Sequence, residues 1–518
     1  MDPYARALPL GVHGPARVTR AHYERRHSLP RRRLAELAIY ELHIGTFTPA
    51  GTFAAATERL EDLAALGVTA VQLMPVAAFA GERGWGYDGV ALYAPHAPYG
   101  CPDDLRRLVD EAHRLGLSVL LDVVYNHFGP AGNYLAAYSP EYFSENEYNV
   151  WGRAPNYAHP AMRRLILDNA RYWLDEFGFD GLRLDATHAI IDHSSRHLLE
   201  ELANIARTFD PPRWLIAEDE RNLAELVTRV GLSAVWADDF HHQVRVTLTD
   251  ERSGYYAAYE PSTRDLAEAI NRGWIYTGQV YPPTGKRRGT SADDLPAEAF
   301  VYCIQNHDQV GNRAMGDRFP PGELFRSASL LLLFLPMTPL LFMGQEWAAT
   351  TPFLYFTDHD PELGRQIRDG RRREFADFKE FSDPETQANI PDPQDRATFL
   401  NSKLSWSERH QPEHARTLEL YRAALGLRRT DPVWRGAKRD SLFAEVVSGA
   451  LVVHRSLGAA RRVFVMNLTS SELSIAALHT PLQLEGSVVQ LSSVELSGDV
   501  LPPGAALVLA SPEAPEPR

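Results

Sequence analysis

The strongest constraint on this chain is a rhythm: short apolar runs of strand length alternate with amphipathic helical stretches from about Ala38 to about residue 430. Eight such runs are readable, "LAIYELHI", "AVQLMPV", "SVLLDVV", "GLRLD", "WLIAE", "SAVWA", "AFVYCIQ" and "TPLLFMG". Runs apolar throughout, and separated by helices, belong to strands of a parallel sheet covered on both faces. Eight of them predict a (β/α)8 TIM barrel. A doubly wound sheet is the alternative, but no glycine-rich phosphate loop follows the first strand. One intervening helix is read from "DDLRRLVDEAHRLG", with Asp103 as N-cap and Gly116 as the stop. Another opens at Pro160 and ends at Gly178, and a third carries Leu198, Leu199, Leu202 and Ile205. The run "LLLLFLPMTPLLFM" is cut by Pro336 and Pro339, so it reads as a buried helix end and a strand rather than a membrane span.

Around that rhythm the chain divides into four parts. Residues 1–35 form an N-terminal segment, and 36–430 form the barrel, with a loop-rich insertion at 128–160 after the third strand. Residues 431–511 read as an all-β C-terminal domain built from "LFAEVV", "ALVVHRS", "VFVMNL", "LQLEG" and "ALVLA", and 512–518 as a disordered tail. The insertion is rich in Tyr, Asn, Gly and Pro, and Ser382–Ser407 is a second irregular stretch. Loops of such length in a compact domain are usually functional or form a small subdomain.

The net charge of −14 argues against a nucleic-acid partner and offers nothing to an anionic membrane. The two cysteines, Cys101 and Cys303, are far apart and form no CxxC, which suits a reducing cytoplasm. The first twenty residues show no apolar leader, so a cytoplasmic protein is expected, and the sequon at Asn467 is discounted.

In a barrel of this kind chemistry sits where strands end. The third strand ends in Asp122 and then Asn126 and His127, Arg183 and Asp185 end the fourth, and Glu218 and Asp219 end the fifth. "ADDFHH" follows the sixth and "QNHDQVGNR" the seventh. A single acid at a strand end is usually a cap or a salt bridge. Four acids converging on one rim, Asp122, Asp185, Glu218 and Asp308, need a shared reason, since like charges buried together are costly. Arg183 and Asp185, two residues apart, share the inner face. A metal could offset more charge, but the spacing is no zinc signature and too poor in oxygen for calcium, so neither metal nor cofactor is expected. Paired carboxylates with aromatics such as Trp85 and Tyr87 suit glycoside hydrolysis, one acid attacking the anomeric carbon and the other protonating the leaving oxygen. A Ser-His-Asp hydrolase is disfavoured, since no GxSxG occurs.

"DVVYNH", "GLRLDATH", "LIAEDE" and "QNHD" resemble, in the same order, the motifs of the α-amylase superfamily. The resemblance implies cleavage of α-glucosidic bonds with retention. It makes Asp185 the nucleophile, Glu218 the acid/base and Asp308 the stabiliser of the transition state. By the same resemblance Arg183 orients Asp185, while Tyr87, Asp122, His127 and His307 bind the sugar being cleaved. "YELHIGTFTPAGTF", "LDATHAIID", "IAEDERN", "WADDFHH" and "QNHDQVGNRAMGDR" are similar to the members that release trehalose from a maltooligosyl-trehalose. For these members His188, Asp239, His241, His242, Gln309 and Asn312 are expected to shape the trehalose side; loop packing is the alternative for each. A branching enzyme or other α-glucan transglycosylase is the first rival reading, and a non-catalytic α-glucan-binding protein the second. Such members usually carry a β-sandwich module ahead of the barrel, and "GVHGPARV" resembles the linker that leaves it.

Overall fold

The computed structural model describes residues 2–19, 23–375, 381, 383–436, 438–482 and 486–511. All eight expected strands form, as β1 (Ile39–Leu42), β2 (Ala70–Leu73), β3 (Ser118–Val123), β4 (Gly181–Leu184), β5 (Trp214–Ala217), β6 (Ala234–Trp236), β7 (Phe300–Cys303) and β8 (Thr338–Phe342). Each is parallel to its neighbours, and β8 pairs with β1 to close the barrel. Burial on both faces explains their apolar composition. The polar exceptions, Glu41, Gln72, Asp122 and Arg183, are buried too. They pair inside: Gln72 Nε2 donates to Glu41 Oε1 at 3.2 Å, and Asp122 sits opposite Arg183 in the β3–β4 register.

The helix after β2 runs Pro102–Arg114, and its N-cap is Cys101, two residues before the anticipated Asp103. Pro102 takes the first helical position, where a missing N–H costs nothing. Asp104 accepts from the Cys101 N–H at 2.8 Å, and Asp103 pairs with Arg106 instead of capping. The long apolar run resolves into a helix, Glu323–Phe334, and β8. The insertion after β3 is more ordered than its composition implied, because it folds into a hairpin, Phe143–Asn149 against Gly152–Pro155. Ser382–Ser407 likewise contains short helices, Pro384–Ala388 and Arg396–Asn401.

Beyond the barrel, an antiparallel sheet is built from β9 (Leu442–Val447), β10 (Ala450–Leu457), β11 (Ala460–Met466), β12 (Val488–Ser492) and β13 (Ala506–Ala510), in the order β9-β10-β11-β13-β12. The segment "LQLEG" supplies no described strand: Leu482 ends a helix, and residues 483–485 lie outside the described residues, as does the tail 512–518. Phe334 joins sheet to barrel, its ring stacked 5.9 Å from Phe464 and edge-on to Trp434 at 5.0 Å. In the N-terminal segment Ala5, Leu8 and Val12 pack on Ala78, Val90 and Ala91.

Among the described residues no helix is long and apolar enough to cross a membrane.

Candidate functional site

The C-terminal ends of β3, β4, β5 and β7 bring their charged residues to one centre, and Arg183 is its hub. It is almost fully buried, and its Nη1 donates to Asp122 Oδ1 at 2.8 Å, to Asp122 Oδ2 at 2.9 Å and to Asp185 Oδ1 at 2.8 Å. Its Nη2 lies 2.9 Å from Glu218 Oε2. The guanidinium lies 4.4 Å from the Trp236 ring centroid, an arrangement that favours a desolvated cation. One cation thus serves three carboxylates, a task for which a planar, permanently charged group is suited.

The three carboxyls respond differently. Burial would raise Asp185, but Arg183, His127 and a hydrogen bond from Asn126 outweigh it and hold this carboxylate below its ordinary range. Asn126 Nδ2 donates to Asp185 Oδ2 at 2.7 Å and to its backbone oxygen at 2.8 Å. Both carboxylate oxygens are therefore held, one from each side. Glu218 goes the other way. Burial, with Asp185 and Asp308 nearby, pushes it up to about 8 in spite of Arg183. Its Oε2 accepts from Ala186 N at 2.7 Å, and Ala186 has the left-handed φ of 38°. That conformation is strained for a residue with a side chain, and strain of this kind persists where the surroundings enforce it. Thr187 completes the clasp, with its N and Oγ1 each 2.9 Å from Glu218 O. Burial also raises Asp308, to whose Oδ1 Asn312 donates, and brings Asp122 to about 6.

Tyr87 and His307 form the floor. Their rings stack at 5.2 Å, Tyr87 OH donates to Asp122 Oδ2 at 2.7 Å, and His307 Nε2 lies 2.7 Å from the same hydroxyl. His307 Nδ1 meets Glu41 Oε1 at 2.8 Å. His127 lies beside Asn126, and burial lowers its pKa below the ordinary histidine value.

The residues expected on the far side are more dispersed. His188 is half-buried after Thr187, its Nδ1 without a partner. Gln309 Oε1 accepts from Tyr255 OH at 3.0 Å. Burial drives His241 well below the ordinary histidine value and His242 down to about 4, and His242 packs among Tyr255, Tyr256 and Tyr259. Asn312 is exposed beside a cleft of about 280 Å³ lined also by Glu251, Tyr255, Tyr256, Arg313 and Met315. Asp239 is fully buried, with donors on both oxygens: Tyr259 OH at 2.6 Å on Oδ1, and Asn222 Nδ2, Ile275 N and Tyr276 N at 2.7–3.0 Å on Oδ2. Arg288 pairs with it at 3.2 Å.

Sequence reasoning passed over several members of this constellation. Glu41 in β1 was signalled by an acid inside an apolar strand. Asp238, adjacent to Asp239, was hidden by the pair; it is half-buried, and burial together with Asp308 pushes it up to about 7. Trp151, from the insertion, stacks on His127 at 4.4 Å. Among the described residues no group of three or more His, Cys, Asp or Glu side chains is placed to hold a metal ion.

A closed parallel barrel with these carboxyls at its C-terminal rim defines a glycoside hydrolase of the α-amylase family, and the model of the alpha-amylase catalytic domain matches residues 43–155. The chain is 51% identical over 495 residues to a malto-oligosyltrehalose trehalohydrolase of Deinococcus radiodurans, covering 93% of this chain and 80% of the relative. It belongs to the malto-oligosyltrehalose trehalohydrolase family. A crystal structure of a putative alpha amylase from Salmonella typhimurium superposes with a TM-score of 0.90 at 38% identity, covering 99% of this chain and 88% of that one. By contrast, a 1,4-alpha-glucan branching enzyme of Corynebacterium jeikeium is 26% identical and covers 61% of this chain and 46% of its own length.

Proposed function

We propose that this enzyme hydrolyses the α-1,4 bond that joins a maltooligosaccharide to a terminal trehalose, releasing free trehalose by double displacement. The reading is carried by one observation: a single buried arginine touches two carboxyls whose environments drive them apart, Asp185 downward and Glu218 up to about 8. Two carboxyls so separated can act as ionised nucleophile and protonated acid at the same pH.

In the first step Asp185 Oδ attacks the anomeric carbon of the glucose beside trehalose. The glycosidic C–O bond breaks, and Glu218 gives its proton to the departing oxygen of trehalose. Water then enters, Glu218 takes a proton from it, and its oxygen displaces Asp185 from the anomeric carbon. The maltooligosaccharide leaves with its configuration retained. Asp308 grips sugar hydroxyls and stabilises the positive charge that develops on the ring. Tyr87, Asp122, His127 and His307 hold the same glucose, and His188, the neutral His241 and His242, Gln309 and Asn312 face trehalose. An exposed thiol, Cys101, suits a reducing compartment, and we place the enzyme in the cytoplasm.

Incubation with maltotriosyl-trehalose, followed by chromatography, tests the reading. Trehalose and maltotriose in equal amounts are expected. New α-1,6 branches from amylose with no trehalose released would overturn it in favour of a transglycosylase.

A further inference from the structure

Asp219 stands next to the acid/base at the end of β5, and no step of the hydrolysis uses it. At 2% exposure it is out of reach of a substrate. It is firmly held all the same. Arg221 clamps it from Nε to Oδ1 at 2.8 Å and from Nη2 to Oδ2 at 2.6 Å, and the Arg221 N–H adds a bond to Oδ1 at 3.1 Å. What Asp219 holds in its turn is Thr187, whose Oγ1 lies 2.7 Å from Asp219 Oδ2 and 2.9 Å from Glu218 O. A hydroxyl has one proton to give, and a carboxylate accepts it more strongly than a peptide carbonyl. The Thr187 proton therefore points to Asp219, and Glu218 O is served by the Thr187 N–H at 2.9 Å.

Thr187 follows Ala186, the residue that turns left-handed at φ 38° and ψ 57°. That backbone is unfavourable with a methyl side chain and persists only where its neighbours enforce it. On the Thr187 side the enforcement is two bonds, the N–H to Glu218 O and the hydroxyl to Asp219. The turn aims the Ala186 N–H at Glu218 Oε2, 2.7 Å away, and Arg183 Nη2 lies 2.9 Å from the same oxygen. A backbone N–H and a guanidinium on Oε2 leave the carboxylic proton to Oε1, which has no hydrogen-bond partner among the described residues.

We infer that Asp219 and Thr187 are positioning residues for the acid/base, holding the Ala186 turn so that Glu218 presents its proton from Oε1. The inference deepens the functional reading and rests on Glu218 as the acid that protonates the departing oxygen. Its consequence is selective. Loosening the clasp displaces the proton donor, while Asp185 keeps Arg183 and Asn126 on its two oxygens. Cleavage that needs a proton on the leaving group should suffer, and cleavage that needs none should not. An α-maltotriosyl fluoride provides the second kind. Asp185 Oδ attacks its anomeric carbon, the C–F bond breaks, and the electron pair of that bond departs with fluoride, which needs no proton.

Kinetics on maltotriosyl-trehalose and on α-maltotriosyl fluoride test it. Thr187→Val is of equal size but lacks the hydroxyl. Its kcat/KM for the first substrate is expected to fall about ten- to a hundred-fold, the scale of one hydrogen bond to a charged group, and for the fluoride to change less than about two-fold. Thr187→Ser keeps the hydroxyl and should restore most of the loss. Asp219→Asn offers one acceptor where Thr187 and Arg221 need two, so it should lower the same ratio of rates. The alkaline limb reports the carboxyl itself, on which Arg183, Asp185 and Asp308 also act. The Ala186 N–H favours the ionised form, so the limb should move upward in pH in Thr187→Val. An equal fall on both substrates would show general support of the rim, and no fall would show an idle clasp. A fall with an unmoved limb would place the effect on His188, beyond the turn; each of these results overturns the inference. Trehalose release by the wild type tests the functional reading separately. Should none appear, amylose replaces maltotriosyl-trehalose, and the same ratio decides the inference.

Discussion

Arg183 and Asp185 sit two residues apart at the end of β4, and the guanidinium Nη1 lies 2.8 Å from Asp185 Oδ1 with no room for water between them. The same nitrogen binds Asp122, so the cation that keeps Asp185 ionised also prevents Asp122 from repelling it. Lysine offers a point charge and cannot reach three carboxyls at once. Arg183→Lys is expected to lower kcat by about a hundred-fold or more, since leaving a buried carboxylate short of its partner costs about 3–5 kcal/mol. The acidic limb of the kcat/KM profile should move upward in pH as Asp185 loses the group that depresses it. A normal kcat with an unmoved limb would dismiss Arg183 as the hub.

Glu218 predicts the alkaline limb. Its carboxyl is protonated below about 8 and able to donate, and the function is lost as pH rises through that value. The kcat/KM of the free enzyme should therefore fall on the alkaline side near pH 8. Other groups titrate in the same region, Asp238 at about 7 among them, so the assignment needs a variant. Glu218→Gln should reduce the rate by about 10²–10⁴-fold and remove that limb. Survival of the limb in the glutamine variant would assign it elsewhere.

Much of this was readable in the chain because barrel strands are apolar by necessity, so Asp122, Arg183 and the acids that follow stand out at once. Strand number, order and the four clustered carboxyls all come from that contrast. What stayed hidden depends on rotation and on tertiary contact. Phe143–Asn149 carries too many polar residues to look like a strand, and the two central positions of its turn are Val150 and Trp151 rather than Gly or Asn. In "ADDFHH" the sequence cannot say which acid faces the cleft. That is set by how the helix Asp238–Thr249 is rolled against the loops 255–290, whose residues reach Asp239 from far along the chain.

Those two neighbouring acids should part company on mutation. Asp239 gathers Asn222, Tyr259, Arg288 and the backbone of Ile275 and Tyr276, so it ties four stretches of chain together. Asp239→Ala should destabilise the protein by about 3–5 kcal/mol, seen as a lower urea midpoint. The Asp238 carboxyl makes no hydrogen bond or ion pair among the described residues, yet Asp308 acts on it across the rim. Asp238→Asn should leave the urea midpoint unchanged and weaken kcat/KM about ten-fold or more, the scale of one hydrogen bond to a charged group. Equal loss of stability in both variants would contradict this division.

Glu41 and His307 provide the final test, because the hydrogen bonds around the ring specify its charge. Tyr87 gives its proton to Asp122, so the His307 Nε2 that meets Tyr87 oxygen at 2.7 Å must itself donate. Nδ1 faces the Glu41 carboxylate at 2.8 Å and must donate as well. Both nitrogens then carry protons, and the ring is an imidazolium. Burial opposes that charge, but Glu41 outweighs burial and raises the pKa above the ordinary histidine value. A raised folded-state pKa means that the charged ring stabilises the fold fully below about 6.5, the unfolded value. The contribution is lost as pH rises through the folded value. Wild-type stability should therefore decline above about pH 6.5, and Glu41→Gln, of equal size but uncharged, should flatten that decline. In the same variant the His307 proton resonances should titrate at lower pH, because nothing remains to offset burial. Unchanged titration of His307 in Glu41→Gln would refute the pairing, and so would a stability decline as steep as in the wild type.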